Sequence, residues 1–378
     1  MANAQAALKT RVQAFDWLRG LAVVFMIQCH ALGLLTPDLQ VSPLARFLRR
    51  LDGLVAPAFI FSAGFSLALV QVRGAASGPR WVRALKTLRR LLEVFLVAEL
   101  VNWAWFPVWS EPHWFIRIDI LHCIAISLVL ALPLMVLLAR QPKVLRWVAL
   151  SAAAAVFFVS PYMESGWGAL DWLLDSTPNA CGKDCSATFP LFPWAGYVYL
   201  GASAGATAAS GDLRTLLRWL GGIGLVAAAL WTFSDQVKAL YPPHNYWVTD
   251  PANAGWRVTL VIAVLLGLLA LEHRAPKAAS SAALKLINVY GTSSMASYFW
   301  HEMLLFFRMP LAYLIPWGFS ITGTWGNSCG WAGYWALVLV LWSATWGLAW
   351  LTDRIYKRVD AKLPSLPSPP KVTGTSTP

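Results

Sequence analysis

Apolar residues gather into long runs at about 17–36, 54–70, 90–108, 119–139, 144–160, 190–208, 215–234, 256–272, 290–312 and 331–351. Each is long enough to cross the roughly 30 Å hydrocarbon core of a bilayer as a helix. Within the runs Leu and Ala follow one another instead of alternating with polar residues, which is the pattern of helices and not of barrel strands. The chain is therefore expected to be an all-α, polytopic membrane protein of ten transmembrane helices. Residues 1–13 read as a cytoplasmic N-terminal segment, 14–360 as one transmembrane domain, and the Pro-rich stretch 361–378 as a disordered cytoplasmic tail.

Composition sharpens this reading. A chain of 378 residues that is 58% hydrophobic, 13% charged and carries 22 Trp is not a water-soluble domain. No charged segment with a small-residue cleavage site opens it, so the first apolar run is expected to stay in the mature protein. With the N-terminus in the cytoplasm, 22 of the 30 Lys and Arg fall on the cytoplasmic side, which predicts both termini there and an inner (cell) membrane location. The net charge of +12 then faces anionic lipid, and no nucleic-acid partner is called for. Arg46, Arg49 and Arg50 break the rule by falling in the first outer loop. They fit either a short interfacial amphipathic helix or a basic rim for an anionic substrate.

Ionisable residues inside the runs are the candidate chemistry, because burying them in lipid is costly. Arg19 and His30 stand eleven residues apart in the first run and so share one helical face, about 16 Å from end to end. Arg19 fits a cytoplasmic anchor or a bidentate phosphate ligand, and Asp16 a plain helix N-cap or part of the same site. Asp38 and Asp52 flank the first outer loop, Asp119 and His122 share a face of the fourth run, and Ser294, Ser297 and His301 share a face of the ninth. Any one of these histidines alone would fit a neutral imidazole bonded between helices. Three of them at similar depth, with carboxylates nearby, point to a lined polar cavity.

No His or carboxylate pair has ligand spacing on one helix, so no metal site is expected. Cys181 and Cys185 lie in an outer loop where a short-loop disulfide is expected, while Cys29 and Cys123 read as small apolar packing residues. Trp103, Trp105, Trp109, Trp114, Trp167 and Trp172 crowd the outer side as an interfacial belt or as stacking platforms for a sugar. Neither an internal repeat nor an inverted pair of broken helices emerges, which argues against many transporter folds.

Five stretches carry a resemblance: Arg11-x4-Asp16-x-Leu18-Arg19-Gly20 with His30 beyond it, Leu51-Asp52-Gly53 through Pro57 to Ser62-Ala63-Gly64, Asp119-Ile120-Leu121-His122, Pro193-Trp194-Ala195-Gly196, and Gly291-x2-Ser294-x3-Tyr298-x2-His301. In this order they resemble the transmembrane acyltransferase superfamily, closest to its heparan-alpha-glucosaminide N-acetyltransferase-like branch. The Arg19-x10-His30 spacing is similar to that of acyltransferase family three.

The resemblance implies transfer of an acyl group, acetyl in the first instance, from cytoplasmic acyl-CoA to an extracytoplasmic glycan hydroxyl or amine. Acyl-CoA would be a cosubstrate, with no permanently bound cofactor. A base of near-neutral pKa is needed, and His30 is the candidate. His122 and His301 would orient it or polarise the thioester, and Asp38, Asp52 or Asp119 would orient an imidazole. Arg19, Asp16, Arg83, Arg89 and Arg90 are the candidate CoA-binding residues, although Arg83–Arg90 also fits a solvated basic loop. Trp103, Trp105, Tyr298 and Ser294 are the candidates for substrate binding. The rival reading is a transporter or flippase of a lipid-linked glycan that uses the same cavity as a proton relay.

Overall fold

The computed structural model describes residues 12–76, 78–105, 117–164, 188–306 and 321–360. These are overwhelmingly helical and contain no strand. The principal helices are α1 (Gln13–His30), α2 (Pro37–Gln40), α3 (Pro43–Asp52), α4 (Val55–Arg73), α5 (Arg80–Trp105), α6 (Ile120–Leu137) and α7 (Pro142–Val159). They continue as α8 (Leu191–Ser210), α9 (Leu213–Thr232), α10 (Pro251–Arg274), α11 (Ala282–Thr292), α12 (Ser294–Phe306) and α13 (Trp331–Asp360).

Helices occupy all ten predicted places, and seven among the described residues are long and apolar enough to cross a membrane. The other three differ for physical reasons. Helix α5 begins with Arg80, Arg83, Lys86, Arg89 and Arg90, which lowers its hydropathy. Helix α8 is rich in Gly, Ala and Ser and buried along nearly its whole length, so its surroundings are other helices and not lipid. The ninth run is split at Ser293 into α11 and α12.

Small residues set the packing. A Cβ on Gly201 would lie 1.9 Å from the Phe61 carbonyl oxygen, and one on Gly64 2.0 Å from that of Val198, so only glycine lets the α4 and α8 backbones touch. Helices α1 and α11 meet in the same way, with a Cβ on Gly291 only 1.8 Å from the Asp16 carbonyl oxygen. That contact fixes α1, and with it His30, against the segment leading into α12.

The basic exception resolves into α3. Ser42 caps it by accepting from the Ala45 N–H, Pro43 occupies its first turn, Ala45 and Leu48 face inward, and Arg46, Arg49 and Arg50 are exposed. It is an amphipathic helix, the form that lies along an interface.

Candidate active site

His30 ends α1, and α12 brings His301 and Glu302 against it. His301 Nδ1–H donates to the Ser297 carbonyl one turn earlier, at 3.0 Å, so a neutral His301 offers its Nε2 as an acceptor. His30 Nδ1 lies 3.1 Å from that Nε2; with both rings neutral it is the donor, which leaves the lone pair of His30 on its own Nε2. Glu302 Oε1 lies 3.1 Å from His30 Nδ1 and 3.2 Å from His301 Nε2. The side chains of His301 and Glu302 are 0% and 1% exposed, whereas that of His30 is 29% exposed. A buried carboxylate therefore flanks two imidazoles, one of which reaches open space. Such a carboxylate favours positive charge on the ring beside it.

That open space is a cavity of about 210 Å³ where the ends of α1, α3, α4 and α6 and the segment before α8 meet α12. Its wall includes Cys29, His30, Asp52, Arg117, Asp119, Tyr298 and Glu302. Asp119 Oδ1 caps α6 by accepting from the Ile120 N–H at 2.7 Å, and its Oδ2 accepts from the Tyr298 hydroxyl at 3.3 Å. Arg117 donates to Thr188 Oγ1 at 2.8 Å. Both oxygens of Asp52, and both of Glu302, are buried without a hydrogen bond. Three carboxylates against one guanidinium make the cavity acidic, a surrounding that suits a cationic or hydroxyl-rich ligand.

A second cavity of about 310 Å³ lies at the opposite end of α12. Arg90 and Glu93 of α5, Ser293 and Ser294 at the helix break, and Asp353 and Tyr356 of α13 line it. The N–H groups that begin α12, the two serine hydroxyls and the Arg90 guanidinium all suit an anion, while the carboxylates of Glu93 and Asp353 are paired with Arg89 and Lys357. From Ser294 to His301 the helix axis covers about 10 Å, so one short helix joins the two cavities.

The family described as Heparan-alpha-glucosaminide N-acetyltransferase, catalytic, matches residues 11–237, more than half of the chain. The chain belongs to this family. No curated protein matches it. As a heparan-alpha-glucosaminide N-acetyltransferase-like protein with many apolar helices, it is a multi-pass membrane acyltransferase. The match covers His30, Asp52, Arg90 and Asp119 and stops short of α12, so the pairing of His30 with His301 and Glu302 comes from the structure.

Within this N-acetyltransferase-like frame the remaining sequence candidates separate. His122 was expected beside His30 and His301, but it faces α5: its Nε2 lies 3.0 Å from Glu99 Oε1 and its Nδ1 accepts from the Asp119 N–H. It completes the capping box of α6 and does not line the cavity. Asp38 is exposed on the short α2, where the Thr36 hydroxyl holds its carboxyl below the ordinary value, and it too is outside the cavity. Asp16 is not an N-cap, since α1 begins three residues earlier; it is buried and ion-paired with Arg19. Arg83 donates to the Gly78 carbonyl at 2.9 Å and Arg89 pairs with Glu93 at 3.6 Å, so of the basic cluster Arg90 is the member on a cavity wall. Ser294 lines that second cavity and Tyr298 the first. Trp103 is exposed on α5; the side chain of Trp105, together with Trp109, Trp114, Trp167, Trp172, Cys181 and Cys185, lies outside the described residues.

Glu302 and Arg117 are cavity residues that the sequence pattern does not single out. An acidic residue in the middle of an apolar run was the available signal for Glu302. Spacing rules also missed that His30, His301 and Glu302 place one ligand atom each within 4.8 Å of one another, the spread of a metal-ligand set, because two helices supply them.

Proposed function

We propose that the chain transfers an acetyl group from acetyl-CoA, bound on the cytoplasmic side of an inner cell membrane, to an amino group of an extracytoplasmic glycan, with His30 as general base. The observation that carries this reading is the hydrogen bond from His30 Nδ1 to His301 Nε2 beside the buried Glu302, which leaves His30 Nε2 as the basic nitrogen at an open cavity. The bound ammonium first loses one proton to water; as the neutral nitrogen attacks the thioester carbon, His30 Nε2 takes a second, the C–S bond breaks, and that proton passes to the departing CoA sulfur. The flanking carboxylate stabilises the imidazolium formed in between, the role a carboxylate plays in nucleophile–histidine–acid triads.

The acidic wall of Asp52, Asp119 and Glu302 favours an amine over a hydroxyl acceptor, because an ammonium group gains there what a neutral hydroxyl does not. Acetyl-CoA is assigned to the cavity at Arg90 and the start of α12, with the acyl arm following α12 towards His30. Ten crossings with both termini in the cytoplasm put that cavity inside and the His30 cavity outside.

The test uses proteoliposomes with radiolabelled acetyl-CoA on one side and a glucosamine-terminated oligosaccharide on the other. His30→Ala should lower turnover by about 10²–10⁴-fold while acetyl-CoA still binds. Wild-type turnover in that variant would overturn the assignment. Passage of unmodified oligosaccharide without loss of acetyl-CoA would establish the transporter reading instead.

A further inference from the structure

On the far side of the bundle from α12, helices α7, α9 and α10 enclose a groove of about 470 Å³, with α8 as its floor. It runs from Trp147 and Trp219 to Phe158 and Pro251. The eleven residues from Trp147 to Phe158 correspond to about 16 Å of helix. The lining is almost wholly hydrocarbon. Neighbouring helix surface is exposed as well, with Trp147 53% and Val226 65% accessible. Gly222 keeps the groove open, since a Cβ there would meet nothing within 4 Å.

The two ends differ. At the Trp147 end, α7 carries Lys143 and Arg146, and α9 carries Arg214 and Arg218. The Arg146 guanidinium sits 4.9 Å over the Trp219 ring, and the indole N–H of Trp219 is held by Ser203 Oγ at 3.0 Å. Asp212, the carboxylate beside these cations, is occupied as the cap of α9 by the Thr215 N–H at 2.8 Å. At the other end Phe158, Leu230, Pro251 and Ala254 bring no charge.

We propose that this groove is a binding site for an anionic phospholipid, its phosphate held by Arg146 and Arg218 and an acyl chain laid along Gly222. Arg218 is the charged residue on the lining, with Lys143, Arg146 and Arg214 beside it, whereas at the other end Asp250 is closed onto His244; a cationic end with hydrocarbon along the rest matches a molecule with one anionic head and a long apolar tail. The site is separate from the acyl-transfer cavities and does not rest on their chemistry.

Native mass spectrometry of the full chain, released from detergent with phosphatidylglycerol or phosphatidylcholine added, tests the proposal. The wild type should retain phosphatidylglycerol in preference to phosphatidylcholine, and Arg146→Gln combined with Arg218→Gln should reduce that preference at least about tenfold. Gly222→Leu, which adds atoms to open space, should displace both lipids. Gly267→Leu is the control, since this exposed α10 position also has nothing within 4 Å and lies outside the groove. Equal retention of the two lipids by the wild type would overturn the proposal. So would unchanged retention in Gly222→Leu, or a Gly222→Leu effect confined to the monomer–dimer distribution.

Discussion

Glu302→Gln keeps the size of the side chain and removes its charge, and the geometry fixes how much that should cost. The carboxylate oxygen lies 3.1 Å from His30 Nδ1. At an effective dielectric of about 20, an imidazolium at roughly that separation is attracted by about 5 kcal/mol. If the glutamine amide dipole recovers half of it, about 2.5 kcal/mol of stabilisation is lost from any state in which His30 carries the proton, or close to 10²-fold in rate. The loss should fall on kcat, because the cavity proposed for acetyl-CoA begins about 10 Å away along α12 and Glu302 is not on its wall. Initial rates in proteoliposomes across a range of acetyl-CoA concentrations separate kcat from KM. Glu302→Asp, with the charge retained on a shorter arm, should recover part of the rate. A Glu302→Gln enzyme that matches the wild type in kcat, or one whose defect lies wholly in the KM for acetyl-CoA, would refute the idea that this carboxylate supports His30.

Three other outcomes follow from the same geometry. Arg90→Ala should weaken acetyl-CoA binding by about 1.5–3 kcal/mol in calorimetry, whereas Arg19→Ala, whose guanidinium is already paired with Asp16, should leave that affinity unchanged and lower thermal stability. His122→Ala should cost stability of about 1–3 kcal/mol through its lost contacts to Glu99 and the α6 cap, with turnover near wild type; a loss of the size seen for His30→Ala would return His122 to the reaction. Because His30 and His301 already share an N–H···N hydrogen bond of 3.1 Å, chelators should leave turnover unchanged and elemental analysis should find no stoichiometric metal; one bound zinc per chain lost in His301→Ala would replace that shared proton with a cation.

Hydropathy along the chain was enough to determine the all-α membrane architecture, since a run of apolar residues must satisfy its own backbone hydrogen bonds in lipid and a helix is how a single segment does so. The ten helical places follow from that rule, and so do the depths of His30, Asp52, Tyr298 and His301, because distance along a helix is fixed at 1.5 Å per residue. What a linear pattern cannot carry is which face of one helix meets which face of another. His122 and His301 both look like partners for His30 by depth, yet packing turns His122 to Glu99 and brings His301 with Glu302 to His30. In the same way Arg19 and Arg90 are both basic residues in the first half of a helix. Only the fold shows Arg19 closed onto Asp16, and Arg90 open to a cavity at the break between α11 and α12. Backbone contacts at Gly64, Gly201 and Gly291, where the absence of a side chain lets helices come together, fix α4 against α8 and α1 against α11. The partner of each charge is thus a property of the assembled bundle.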